Sequence, residues 1–220
     1  MSPDIPTIGC EEIIIVPYSE NWPASFAMEK KRLQDAIGNT IVAIEHIGST
    51  AVPGLAAKPV IDIIAGVRSM QEADGLIREL KNLGYLYPEE FNASLPDRRF
   101  FMHMNKKKTE RTHHLHLISY QGKEWKEAIA FRNLLRGSHA VAEKYAALKK
   151  TLSLKYKNDR EGYTSAKTAF IERALEPKQT KSWLASEQDV EEWTLNDKRL
   201  MKKSKKLAAA LLKKNASGRA

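Results

Sequence analysis

The run IEHIGSTAVPGLAAKPVIDIIAGV, residues 44–67, holds residue types that phosphate chemistry asks for. Gly48 and Ser49 follow a strand-like segment, and a loop of that kind can turn backbone N–H groups and a hydroxyl toward a phosphate with no side chain in the way. Thr50 extends the same polar corner, and Lys58 adds a positive point charge just before Pro59. Asp62 then stands early in an apolar run, on the strand face shared by Ile64 and Gly66 under period-two alternation. A carboxylate placed there can hold a divalent metal that bridges phosphate oxygens. A plain Gly-Ser turn, with Asp62 satisfied by backbone donors, accounts for the same residues, and residue chemistry alone leaves both readings open.

A second constellation is Thr112-His113-His114-Leu115-His116. Alternation sends His114 and His116 to one strand face and His113 to the other, beside Leu115 and Leu117. Two imidazoles on one face can ligate one metal, or set a general base beside a phosphate. His46 and His103 lie on strand-like segments and could join them. Of Arg98 and Arg99, alternation selects Arg99 as the one that shares a face with His103. Lys167 aligns with Tyr163 and Phe170 on one helix face, from which it could reach an anionic ligand, although a solvated lysine is the simpler reading. The chain has no G-x-x-x-x-G-K-[ST], no G-x-G-x-x-G, no pair of Cys-x-x-Cys and no H-E-x-x-H, which sets aside the common ATPase, dinucleotide and zinc-protease signatures.

Positioning these groups requires a sheet. Residues 40–47, 59–67, 85–87, 99–104 and 112–119 read as strands, with KKKTER as a charged hairpin tip between the last two. A helix is expected over 19–37, capped by Ser19 and stopped at Gly38-Asn39, and another over 70–83, closed by Gly84. From Lys123 the character turns helical: one helix ends at Gly137, Ser138 caps a second, and a third runs from about Glu161 to Leu175 before Pro177. The expected fold class is α+β (α/β-like), a mixed β-sheet flanked by helices with a helical C-terminal half. The expected division is an N-terminal extension over 1–15, a main domain over 16–177, and a linker with a basic helical tail over 178–220. Ser186 and Asp189 resemble a capping box that opens this last helix.

The net charge of +9 belongs to that tail. Nine Lys and Arg residues and no acidic ones fall between Lys198 and Ala220, which leaves 27 basic and 27 acidic residues before them. A formally neutral body with a basic helix attached points to nucleic acid, or another anionic partner, for the tail rather than the domain; a merely solubilising tail is the simpler alternative. No apolar run nears the roughly 18 to 20 residues that span a bilayer, so no membrane partner is expected. MSPDIPTIGC lacks the basic start and apolar stretch of a signal peptide, and the lone Cys10 forms no internal disulfide, so a cytoplasmic location is expected.

The runs VPYSENWPASFAMEK, IEHIGSTAVPGLAAKPVIDIIAGV, THHLHL, FRNLLRGSHAVAEKYAALKK and YTSAKTAFI, in this order, closely resemble the GrpB family over about Val16 to Leu175. That family is similar in fold to the nucleotidyltransferase superfamily, and a related domain occurs fused to dephospho-coenzyme A kinase. The resemblance implies that Gly48-Ser49 match the superfamily's Gly-Ser element and that Asp62 matches its first metal-binding carboxylate. The second carboxylate, two positions on, is replaced by Ile64. The implied function is binding of a nucleotide or other phosphorylated small molecule with a divalent metal (Mg, Mn or Zn), extending to nucleotidyl transfer. Asp62, His114 and His116 are the expected catalytic and metal residues. Gly48, Ser49, Thr50, Lys58, Arg99 and Lys167 are the expected phosphate or nucleotide contacts. The alternative is a non-catalytic binding module that has lost transferase chemistry, for which Ile64 is the argument.

Overall fold

Apolar alternation in four segments builds the central sheet of a computed structural model, which describes residues 12–176. The chain runs α1 (Asn21–Ile37), β1 (Ala43–Ile47), a 3-10 turn (Ser49–Ala51), β2 (Ile61–Val67), α2 (Met70–Gly75) and α3 (Ile77–Asn82). It continues through α4 (Glu89–Asn92), β3 (Arg98–Met104), β4 (Arg111–Ser119), α5 (Lys123–Gly137), α6 (His139–Lys155) and α7 (Arg160–Ala174). The sheet is mixed, in the order β1-β2-β4-β3, with only β2 and β4 parallel. The architecture is α+β, as expected. Cys10, the linker, the capping-box pair and the basic tail lie outside the described residues.

One sheet face forms the main core. Ile44, Ile61, Ile63, Ala65, Val67, Phe101, Leu115 and Leu117 point there and pack with Trp22, Leu33 and Ile37 of α1 and with Ala73, Leu76 and Leu80 around α2 and α3. Trp22, Glu29, Leu33 and Ile37 are the buried positions of α1, a spacing of one helical face. The other face is covered in part by α5. Its Trp125 packs on Ile64 and Ile118, and Gly66 makes room, since a Cβ there would lie 2.8 Å from the Tyr120 ring and 3.0 Å from the Trp125 ring.

The single helix expected over 70–83 is two helices that meet at Leu76, where the preceding Gly75 weakens the helical backbone. No strand forms over 85–87. A lone bridge joins Leu86 to Met102, because Pro88 ends the run and is itself the N-cap of α4. Asn92 buttresses β3 from the side: its Oδ1 accepts from Phe100 N at 2.6 Å and its Nδ2 donates to Phe100 O at 2.8 Å. The charged segment 105–110 is the tip of the β3–β4 hairpin, closed by Asn105 Oδ1 accepting from Thr109 N.

The described chain divides into two compact units, one of Ile14–Ala142 and one of residues 12–13 with Glu143 onward. The second is built on α6 and α7. There, Asp159 caps α7 by accepting from Gly162 N at 2.8 Å, and the Tyr145 and Phe170 rings meet at 5.1 Å. Among the described residues no helix is long and apolar enough to cross a membrane.

Leu115, on a central strand with no exposed surface, sets the expected cost of a core deletion. Leu115→Ala should destabilise the protein by about 2–5 kcal/mol in urea titrations. Leu154→Ala, at a side chain 77% exposed, should change it by less than about 0.5 kcal/mol.

Candidate functional site

Register brings the candidate residues together. Asp62 of β2 lies directly across from His114 of β4 on one side and Ile47 of β1 on the other. All three share the face opposite the main core, and Asp62 Oδ1 meets His114 Nδ1 at 2.8 Å. An ionised carboxylate only accepts, so in this bond Nδ1 carries the proton and donates. The second carboxylate oxygen lies against Gly48: a Cβ added to Gly48 would sit 2.5 Å from Asp62 Oδ2. Gly48 also has φ 71 and ψ −172, a region essentially closed to other residues. The glycine is therefore required twice, by its backbone and by its neighbour.

The turn that follows is braced from two directions. Thr50 is buried at 1% exposure; its hydroxyl donates to Val60 O at 3.3 Å and meets His46 Nε2 at 3.0 Å. Since the hydroxyl proton goes to Val60, His46 Nε2 is the donor in the second bond, and the ring is neutral at Nδ1. It stacks on Phe26 at 4.7 Å. From the other direction, Arg132 Nη1 donates to Glu45 Oε2 at 2.6 Å and to His46 O at 3.0 Å, and Arg136 Nε donates to Ala51 O at 2.8 Å. Helical spacing puts both arginines on one helix, but no local pattern marks their link to the loop, which lies 85 and more residues away.

The remaining candidates separate. Ser49 is half-buried, and among the described residues its hydroxyl has no hydrogen-bond partner. Lys58 stands in the connection to β2, its carbonyl accepting from Val60 N. Thr50, expected to face a ligand, faces inward instead, because its hydroxyl serves His46 and Val60. Arg99 is across from Leu117 on the core face and is held by Asp74 of α2, at 2.5 and 3.0 Å. It is an anchor between β3 and α2, on the far side of the sheet from Asp62. His103 and His113 are also on that far side, their rings 5.9 Å apart. Lys167 belongs to the second unit, where its ammonium lies 4.2 Å from the centre of the Tyr163 ring.

His116 shares the face of Asp62 and His114 but lies one pair further along, across from Ile64. Its Nδ1 is buried without a partner, and its ring lies 5.1 Å from that of Phe100. Burial, then the nearby Arg98 guanidinium, lowers its pKa to about 3. Ile64 is 2% exposed beneath Trp125, so the place of a second carboxylate is a closed apolar contact. Among the described residues no three His, Cys, Asp or Glu side chains form a group able to hold a metal ion. Asp62, His114 and His116 therefore do not fit a protein-held divalent metal: two are bonded to each other, and the third sits in an apolar niche near a guanidinium.

Two outcomes follow from this geometry. Gly48→Ala should cost about 2 kcal/mol or more through backbone strain and the clash with Asp62. In an Asp62→Ala background the cost should be smaller by about 1 kcal/mol, read from a double-mutant cycle in urea. Acid should also destabilise the fold. Burial lowers His46 to about 4 and His116 to about 3 from the ordinary 6.5, so between those values the unfolded chain binds protons that the folded chain refuses. Stability is full above about pH 6.5 and falls as the pH drops toward 4; His116→Phe should flatten part of that fall in thermal melts at stepped pH.

The chain matches the family model described as GrpB protein over residues 12–177. It is 38% identical over 165 residues to the glutamate-rich protein GrpB of Alkalihalophilus pseudofirmus, an alignment covering 74% of this chain and 94% of that protein. A crystal structure of the conserved protein GrpB from Enterococcus faecalis superposes with a TM-score of 0.67 at 34% identity, covering 77% of this chain and 99% of the other. A shorter stretch of 90 residues is 40% identical to a dephospho-CoA kinase of Mycolicibacterium paratuberculosis, covering 39% of this chain but only 22% of that enzyme. With the family model spanning most of its length, the chain belongs to the GrpB family.

Proposed function

We propose that the protein binds a nucleotide or another phosphorylated small molecule at the Gly48-Ser49 turn, beside the Asp62–His114 pair. The observation that carries this reading is the packing of Asp62 Oδ2 against Gly48. The contact ties a carboxylate and a histidine to a turn whose serine hydroxyl has no partner among the described residues. His114, held by Asp62 at 2.8 Å, places beside the turn an imidazole, the group suited to accepting a proton from a nucleophile when neutral or donating to a phosphate oxygen when protonated. A phosphate close to Asp62 needs a counterion. In this reading the counterion would come with the ligand, as magnesium in its phosphate complex, and no side chain of the protein is assigned to hold it.

Nucleotidyl transfer is the enzymatic form of this proposal, with His114 as the proton acceptor. The competing reading is a binding module without turnover. It is favoured by Ile64, which closes the second carboxylate position under Trp125.

Thermal melts of the full chain with ATP, GTP, CTP or UTP, each with and without magnesium, test the binding claim. A ligand at about 100 times its Kd adds about 2.7 kcal/mol, a rise of about 5 °C or more in Tm for a chain of this size. Asp62→Asn and His114→Gln should lose most of that rise. No rise with any of the four in wild type sinks the proposal for nucleoside triphosphates. A rise without product in single-turnover assays selects the binding module.

A further inference from the structure

Arg132 and Arg136 stand four apart on α5, so their guanidinium groups are neighbours on one helix face. Their charges are handled differently. Arg132 is neutralised by Glu45 at 2.6 Å and is only 10% exposed at its side chain. Arg136 is exposed, and Nε alone is spent, on Ala51 O at 2.8 Å. Among the described residues its two Nη atoms have no hydrogen-bond partner and its charge has no paired carboxylate. Partial burial and the Arg132 charge lower its pKa, with Glu45 acting in the opposite sense. A cation is thus fixed at the end of the Ser49–Ala51 turn and left without an anion.

Resting on the reading that the Gly48-Ser49 turn takes a phosphorylated ligand, we propose that Arg136 is the residue that binds the ligand's phosphate. Its Nε bond to Ala51 O fixes the plane of the guanidinium, and the two Nη groups form the fork that suits two phosphate oxygens. The Ser49 hydroxyl supplies a further donor from the same turn. An anion between them offsets the Arg132–Arg136 repulsion that the protein alone leaves in place. The substrate class this selects is a terminal phosphate or a polyphosphate carrying at least two negative charges, in preference to a monoanionic diester. Arg132, spent on Glu45 and on the His46 carbonyl, positions the loop and does not touch the ligand.

Calorimetric titration of the full chain with ATP and with inorganic pyrophosphate, at several salt concentrations, tests this. Arg136→Gln should weaken binding by about 10-fold or more. It should also make the dependence on salt shallower, since one charge contact is gone. Arg136→Lys should fall between, keeping the charge and losing the fork. Lys126→Gln, which removes an exposed charge from the same helix, should bind like wild type. If wild type binds and Arg136→Gln binds equally well, the role of Arg136 is refuted while the phosphate site stands. If Arg136→Gln weakens binding with the salt dependence unchanged, the residue only supports the turn and the inference is again refuted. If wild type binds neither compound, the proposed function itself fails.

Discussion

The parallel pairing of β2 with β4 is the constraint on which the rest of the site depends. In that register Asp62 faces His114 and Ile64 faces His116. A slip of one strand by one residue would send either the carboxylate or the two imidazoles toward the apolar core, and part them. The register is held by what lies on the two faces: Ile61, Ile63, Leu115 and Leu117 on the core face, and Ile64 and Ile118 under Trp125 on the other. Burial of ordinary aliphatic residues thus sets the position of one polar pair. Gly48 completes the arrangement by bringing the β1–β2 connection so close to Asp62 that a methyl group has no room.

Much of this was legible because alternation within a strand is local. The separation of His114 and His116 from His113, and of Asp62 from its apolar neighbours, needed only period two. The glycine and serine were legible as a turn. What alternation cannot supply is the face of one strand relative to another. Arg99 shares a face with His103, as the spacing requires, yet register puts both behind the sheet. Thr50 failed for a different reason: a hydroxyl in a polar loop reads as outward, but His46 and Val60 O offered it two partners in the interior. Arg132 and Arg136 were hidden because their contacts with residues 45–51 span most of a hundred residues of chain, and no local pattern announces them. The division of the 70–83 helix turned on Gly75, a residue whose weakening effect is small unless packing also favours a break.

The histidines illustrate how one residue type serves two ends. His46 and His116 are held neutral by burial, and His103 and His113 are shifted the same way. In these four the imidazole is a packing and hydrogen-bonding group. His114 differs in having a carboxylate partner across the strands. The family to which the chain belongs is shown by comparison over most of its length. The distinction between one histidine paired with a carboxylate and four whose charge is disfavoured by desolvation is a property of this fold's geometry, and composition does not contain it.

Asn92 carries a further consequence. β3 is an edge strand, and an edge normally presents free backbone groups that can pair with another chain. Here the outward N–H and C=O of Phe100 are both taken by the Asn92 carboxamide, and those of Met102 by Leu86. A side-chain amide and a single bridge thus impersonate the missing fifth strand. The sheet is finished at that border, and its cohesion does not become an invitation to fibril growth or strand exchange between molecules.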